Sequence, residues 1–231
     1  MKIFGCLFLG IILATSLAFG QQKSTCKLRF SPVFEQSYVQ LGKTYYLNKN
    51  GDSITFETLK FYISGIQFLL NKKVAWVDTA GFYLCDAEKV NSLIIPLEIP
   101  EGLRYNEIQF YCGIDSISNT LGALGGALDP TNGMYWTWQN GYINAKLEGK
   151  SSFCKSKDNA FELHLGGFQF PFNALQEVHL QLTSKELILI KLQLDQFIRQ
   201  INIAEKHHVM SPSIEAIDYS KVFSHSFRIV Q

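Results

Sequence analysis

Apolar and polar residues alternate along much of this chain in short runs, punctuated by glycine, proline, asparagine and aspartate. Such a period of two predicts strands with one buried and one wet face. The clearest case is Glu107–Ile114, where Ile108, Phe110 and Cys112 fall on one side and Glu107, Gln109 and Tyr111 on the other. In Phe161–Leu165, Phe161, Leu163 and Leu165 oppose Glu162 and His164 in the same way. Shorter or more apolar runs predict strands over 27–33 and 37–41 (broken at Pro32), 44–47, 53–58, 59–70, 74–77, 81–84, 93–97, 177–183, 186–194, 195–203 and 227–230. Turns are expected at Asn50-Gly51-Asp52, Pro100-Glu101-Gly102 and Ser184-Lys185. One helix is expected over Ser213–Val222, capped by Ser213 and with Ile214 and Ile217 at helical spacing. Strands this short and this closely spaced predict an all-β fold: an antiparallel two-sheet β-sandwich with one short helix near the C-terminus.

The stretch Leu128–Gly149, LDPTNGMYWTWQNGYINAKLEG, carries the strongest local signal. Asn140-Gly141 predicts a two-residue type I′ hairpin, because both central positions of that turn need positive φ. Folding there pairs Gln139 with Tyr142, Trp138 with Ile143, Trp136 with Ala145 and Met134 with Leu147. One face is then wholly apolar (Met134, Trp136, Trp138, Ile143, Ala145, Leu147) and the other largely polar. On pattern alone the two tryptophans are core residues. Before this hairpin, Asp115–Asp129 breaks the strand rhythm as a glycine-rich loop with one short helical turn after Ser116, and after it Lys150–Asn159 reads as a polar surface loop. The loop glycines Gly122, Gly125 and Gly126 are expected to let the backbone pass close to the hairpin. No strand–loop–helix unit with a following Lys-Ser/Thr makes them a phosphate cradle.

Composition changes the picture at the N-terminus. Lys2 followed by the apolar run Ile3–Leu13 and by Ala18-Phe19-Gly20 reads as a secretory signal over residues 1–20, cleaved before Gln21. The run is too short for a membrane span, and Cys6 lies too early to be a lipidated cysteine. The mature chain, 21–231, is then a single periplasmic or secreted domain with no integral membrane segment. Its formal charge of +1 falls to about zero without Lys2, and no basic patch with interleaved aromatics points to nucleic acid. Four cysteines remain, Cys26, Cys85, Cys112 and Cys154, as one or two bridges or as buried thiols. No C-x-x-C or paired Cys/His spacing suggests zinc.

The hairpin segment, followed by FELHLGG and preceded by LKFYISGIQFLL, GFYLCDAE and IQFYCGIDSISN, resembles the MbnP-like (methanobactin-associated) copper-binding protein family. The resemblance covers roughly residues 27–230 and is most specific around the W-x-W hairpin. It implies an exported β-rich domain that binds copper without catalysis, for copper acquisition, storage or delivery. It further implies a di-haem peroxidase-like partner that oxidises a tryptophan, Trp136 or Trp138, to kynurenine. An indole offers a metal only an N–H, whereas kynurenine carries an aromatic amine and a ketone.

The copper ligands that the resemblance points to are His164, within FELHLGG, and the late segment His207, His208 and Met210, together with Trp136 and Trp138. Imidazole nitrogen suits copper in general, and thioether sulfur suits Cu(I). On pattern alone His164 is a hydrogen-bonded strand residue, His207-His208 a solvated loop, and His179 an outward strand residue; His225 is open to either reading. No histidine precedes His164, so an N-terminal ligand is missing; Arg29-Phe30-Ser31-Pro32 stands in that part of the chain. A metal-free interaction or binding module of the same fold is the alternative. A glycan-cleaving enzyme would need paired carboxylates; Asp115, Asp129 and Glu148 lie near the hairpin, but no signature joins them and no G-x-S-x-G elbow occurs.

Overall fold

The computed structural model describes residues 22–47, 52–182 and 187–230. The signal segment and the turns at 50–51 and 184–185 lie outside the described residues. The protein is mostly β, with a sandwich-like arrangement of strands. Among the described residues there is a ten-stranded sheet, a five-stranded sheet and a two-stranded ribbon, Phe168–Gln169 with Phe172–Asn173.

The large sheet is built on one strand, Ser53–Leu70. The expected runs 53–58 and 59–70 form one continuous strand, with one register shift opposite Thr58 and Phe56 and a second between Ser64 and Gln67, where Gly65 takes φ +56°. A Cβ on Gly65 would sit 2.8 Å from the Tyr111 ring, so the position also needs a residue without one. One edge of this strand pairs with Gly141–Ser151, whose other edge pairs with Ala160–Gly166. Strands Glu107–Cys112, Phe82–Asp86 and Lys73–Val77 pair with its second half.

The smaller sheet centres on Lys23–Phe34, which runs through the expected break at Pro32. Its neighbours are Ile94–Pro100 and Leu187–Gln193, and Phe227–Ile229 closes one edge. Two pairings correct the antiparallel expectation. Lys23–Phe34 is parallel to Leu187–Gln193, and Ala160–Gly166 is parallel to His208–Val209. The strands expected at 177–183 and 186–194 fall in different sheets, at Gln176–Gln181 and Leu187–Gln193.

Helices also outnumber the expectation. Ile214–Ser224 is the expected one, with the Ser213 side chain accepting from the Ala216 N–H. Ser116–Thr120 is the expected helical turn, capped by Asp115. Leu194–Gln200, expected to be strand, is a helix that buries Leu194, Phe197 and Ile198. These apolar positions recur at i, i+3 and i+4, the helical period, and that outweighs their β-branched neighbours.

The core lies between the two main sheets. Phe30 of the smaller sheet meets Phe61 and Phe110 of the larger edge-on, with centroids 5.9 and 5.6 Å away, and Phe227 at 6.0 Å. A second cluster, of Tyr62, Ile114, Leu128, Met134, Trp136, Tyr142 and Ile143, sits apart from this core. There the glycine-rich loop covers the outer face of the large sheet. The buried Tyr142 ties it down, its hydroxyl accepting from the Leu124 N–H (2.9 Å) and lying 3.0 Å from the Leu128 carbonyl. Of the loop glycines, Gly122 comes close to the hairpin, its carbonyl 3.2 Å from the Tyr142 hydroxyl, whereas a Cβ on Gly125 or Gly126 would meet nothing within 4 Å.

Candidate metal centre

The hairpin forms in a different register, with the partner of Trp136 moved four residues from the expected Ala145 to Gly141. Trp136 pairs with Gly141 and Tyr135 with Tyr142, leaving a four-residue turn in place of the two-residue one. Asn140 has the expected positive φ of 51°, but the turn closes through the Gln139 N–H on the Trp136 carbonyl. Met134 and Trp136 stay buried, whereas Trp138 is lifted to the tip and is 66 % exposed. The two indoles remain neighbours, 6.0 Å apart between ring centroids. A shift between Ile143 and Ala145 then separates the two ends of this strand. Ile143 joins the outer cluster, while Ala145 and Leu147 point into the core.

Beyond that shift, alternation sends Lys146 and Glu148 to the outer face, and the paired strand sends Glu162 and His164 there. Lys146 stands opposite His164, and Glu148 opposite Glu162. His164 is 5 % exposed, and its Nε2 lies 2.7 Å from Glu148 Oε1. The Lys146 ammonium is 3.2 Å from the same oxygen. The hydrogen bond from His164 chiefly, with help from Thr58 and Lys146 and against the opposing effect of burial, holds the Glu148 carboxyl down at about 2. Glu148 is therefore ionised and acts as the acceptor, so the proton sits on Nε2. In the neutral ring Nδ1 then carries a lone pair, and this buried atom has no hydrogen-bond partner.

Trp136 lies next along the same face. A Cβ on Gly166, two residues after His164, would come within 2.8 Å of the Trp136 ring, so the indole packs directly against a glycine. Its buried Nε1–H also has no partner. A hollow of about 110 Å3 opens between Trp136, Gly167, Phe168, Phe172 and Pro212.

The late segment runs along the other edge of the His164 strand. Glu162 pairs with His208 and Leu163 with Val209, and His208 Nδ1 reaches Glu162 Oε2 at 2.9 Å. His207 turns away, its Nδ1 3.3 Å from the Ala204 carbonyl. Of the residues singled out from the sequence, His164 and Trp136 lie along one strand face with His208 at the neighbouring edge, Trp138 and His207 lie at the margins, and Met210 is half-buried just after the His208–Val209 strand. Sequence reasoning set Glu148 among the carboxylates near the hairpin but not beside His164, and missed Lys146; the strand runs on to Ser151, and the period-two pairing of Lys146/Glu148 with Glu162/His164 is the signal that could have found both. Asp115 and Asp129 cap helical turns through Ser118 and Thr131. Among the described residues no group of three His, Cys, Asp or Glu side chains is placed to hold a metal ion.

Fold and site define a β-rich, sandwich-like domain with a carboxylate-braced imidazole beside a buried tryptophan. The MbnP family model matches residues 23–212, and the chain belongs to the MbnP family. Among solved structures, MbnP from Methylosinus trichosporium has the same fold, with a TM-score of 0.63 at 14% identity over 85% of this chain and 87% of that one. No curated protein matches the chain. Among the described residues no helix is long and apolar enough to cross a membrane.

Proposed function

We propose that residues 21–231 form an exported, non-catalytic copper-binding domain for copper acquisition, storage or delivery, with His164 as its anchoring ligand. The observation that carries this reading is the buried, unpartnered Nδ1 of His164, with Nε2 held by an ionised carboxylate. A metal-bound histidine usually donates its second N–H to such a partner, which fixes the tautomer and raises the basicity of the ligating nitrogen. Membership of the MbnP family points the same way. Trp136, not the exposed Trp138, is the tryptophan beside His164 and the better candidate for oxidation to kynurenine by a di-haem peroxidase-like partner. Opening its five-membered ring would convert an N–H that cannot ligate into an amine and a ketone that can.

The test is peptide mass spectrometry and copper analysis of protein purified from its native host. Stoichiometric copper that is lost in His164→Ala, with the kynurenine mass change at Trp136, is the expected result. Host-purified protein with intact tryptophans and no copper, before or after reconstitution, would leave the alternative standing. That alternative, a metal-free interaction module, draws on the exposed aromatic rim of Trp138 and Phe170, 66% and 97% accessible.

A further inference from the structure

The larger hollows of the surface differ in charge. Three of them, of about 420, 400 and 330 Å3, are lined by acidic or basic side chains: Arg199 in the first, Lys23, Asp78 and Glu98 in the second, Asp86 and Lys89 in the third. A groove of about 550 Å3 is the exception. It runs between the helix Ser116–Thr120, the hairpin turn and the ribbon strand Phe168–Gln169, and no Asp, Glu, Lys or Arg is among the described residues that line it. The sequence repeats the pattern on a larger scale, since 116–128, 130–145 and 165–176 hold no Asp, Glu, Lys or Arg at all. Tyr135 lines the groove and immediately precedes Trp136 in its strand, so the groove opens on the other face of the hairpin from the Trp136 ring.

The groove has aromatic walls and an amide and hydroxyl rim. Tyr135 and Phe168, both half-buried, supply the rings. Thr137, Gln139, Asn140 and Gln169 form the exposed rim, and none of these four side chains makes a hydrogen bond among the described residues. The frame beneath them is fixed. Buried Asn119 donates from its amide to the Ile114 and Asp115 carbonyls at 3.0 Å and accepts from the Tyr142 N–H at 2.8 Å, which locks the helix to the hairpin. The Ser116 hydroxyl donates to the Phe168 carbonyl at 3.0 Å and joins the helix to the ribbon. The Tyr135 ring packs edge-on against Tyr142, centroids 4.9 Å apart. The groove is therefore preformed, and a ligand has little ordering cost to meet on its account.

We infer that this groove binds a neutral oligosaccharide, with Tyr135 and Phe168 as stacking walls and Thr137, Gln139, Asn140 and Gln169 reading the hydroxyls. A sugar ring has an apolar face of C–H groups and an edge of hydroxyls that both donate and accept. Aromatic rings suit the first, and amides and hydroxyls, which also donate and accept, suit the second. A phosphate, a uronic acid or a nucleic acid would find no counter-charge there. A hydrocarbon chain would cover the rim side chains and leave them without partners. With no carboxylate on its walls, the groove holds a glycan without cleaving it. The inference is independent of the copper reading, because His164, Glu148 and Trp136 are not among the residues that line the groove.

The experiment is calorimetric titration of the mature chain with cello-, malto-, manno- and laminari-oligosaccharides, and with oligogalacturonate as the anionic control. At least one neutral oligosaccharide is expected to bind, with an affinity that added salt leaves unchanged, while oligogalacturonate does not bind. Gln169→Ala and Thr137→Ala should each weaken that binding by roughly five- to tenfold. Their unfolding midpoints should match the wild type, because both side chains are exposed and free of hydrogen bonds. Phe168→Ala should abolish binding, but its ring also packs close to Gly141, so the two rim variants carry the test. His164→Ala should bind the oligosaccharide like the wild type, which keeps failure of the copper reading apart from failure of this one. Four results overturn the inference: no neutral oligosaccharide binds up to the millimolar range, only oligogalacturonate binds, both rim variants bind like the wild type, or uncharged peptides bind where the glycans do not.

Discussion

Glu148 decides what His164 can do. An ionised carboxylate on Nε2 leaves Nδ1 as the lone-pair nitrogen, and an amide in its place could no longer enforce that choice. Glu148→Gln should therefore lower copper affinity by about 10–100-fold with the fold intact, measured by chelator competition. The acid also links the site to pH. Its carboxyl is lowered from 4.5 to about 2 in the folded chain, so the stability it contributes is complete above its unfolded value and is lost as pH falls from there toward 2. Urea midpoints recorded across that window should drop more steeply for the wild type than for Glu148→Gln. The cysteines settle at this scale too. Cys85, Cys112 and Cys154 are buried thiols, and Cys26 is buried with its sulfur 3.8 Å from the Tyr105 hydroxyl. Burial pushes Cys112 to about 12 and Cys154 to about 11. Cys85, Cys112 and Cys154 should resist alkylation by iodoacetamide at pH 8 and react fully in guanidinium, as counted by mass spectrometry.

At the scale of elements, the hairpin shows how far local sequence reaches. Asn140-Gly141 correctly marked a chain reversal and Asn140 correctly took positive φ, but the register was set elsewhere. Trp136 needs the bare surface of Gly166, and Tyr142 needs the carbonyls of a loop some twenty residues upstream, and neither demand shows in a two-residue motif. Tyr142 looked like a wet-face residue because the loop that covers it is not part of its own strand pattern. The helix Leu194–Gln200, by contrast, was legible in its own spacing of Leu194, Phe197 and Ile198. Gly166→Ala tests the packing directly. The added methyl would meet both the Trp136 ring and the Tyr142 carbonyl at 2.8 Å. It should cost about 1–3 kcal/mol in thermal unfolding and alter tryptophan fluorescence as Trp136 is displaced.

Across the whole molecule, the alternation of Glu107–Cys112 and Ala160–Gly166 picked out the apolar core faces, because each strand carries that information itself, but not that Glu107 and His164 on the opposite faces are buried too. Which strands share a sheet does not belong to any one strand. The core aromatics join sheets whose members are scattered along the chain, and Phe30 is where four rings meet. Phe30→Ala should cost about 3–5 kcal/mol, read as a lowered unfolding midpoint in urea. The central pairing of the smaller sheet, Lys27 with Leu187 through Val33 with Gln193, has a consequence in time. The first strand to emerge from a ribosome has one neighbour, Ile94–Pro100, within the first half of the chain and the other, Leu187–Gln193, almost at its far end. Closing a loop of that length comes before any reward from the contacts it makes, so folding must be slow and late. A chain that emerges end first therefore leaves one flank of this strand open until nearly all of it has arrived, and the strip that joins Trp136 and His164 to His208 is completed only by its last quarter.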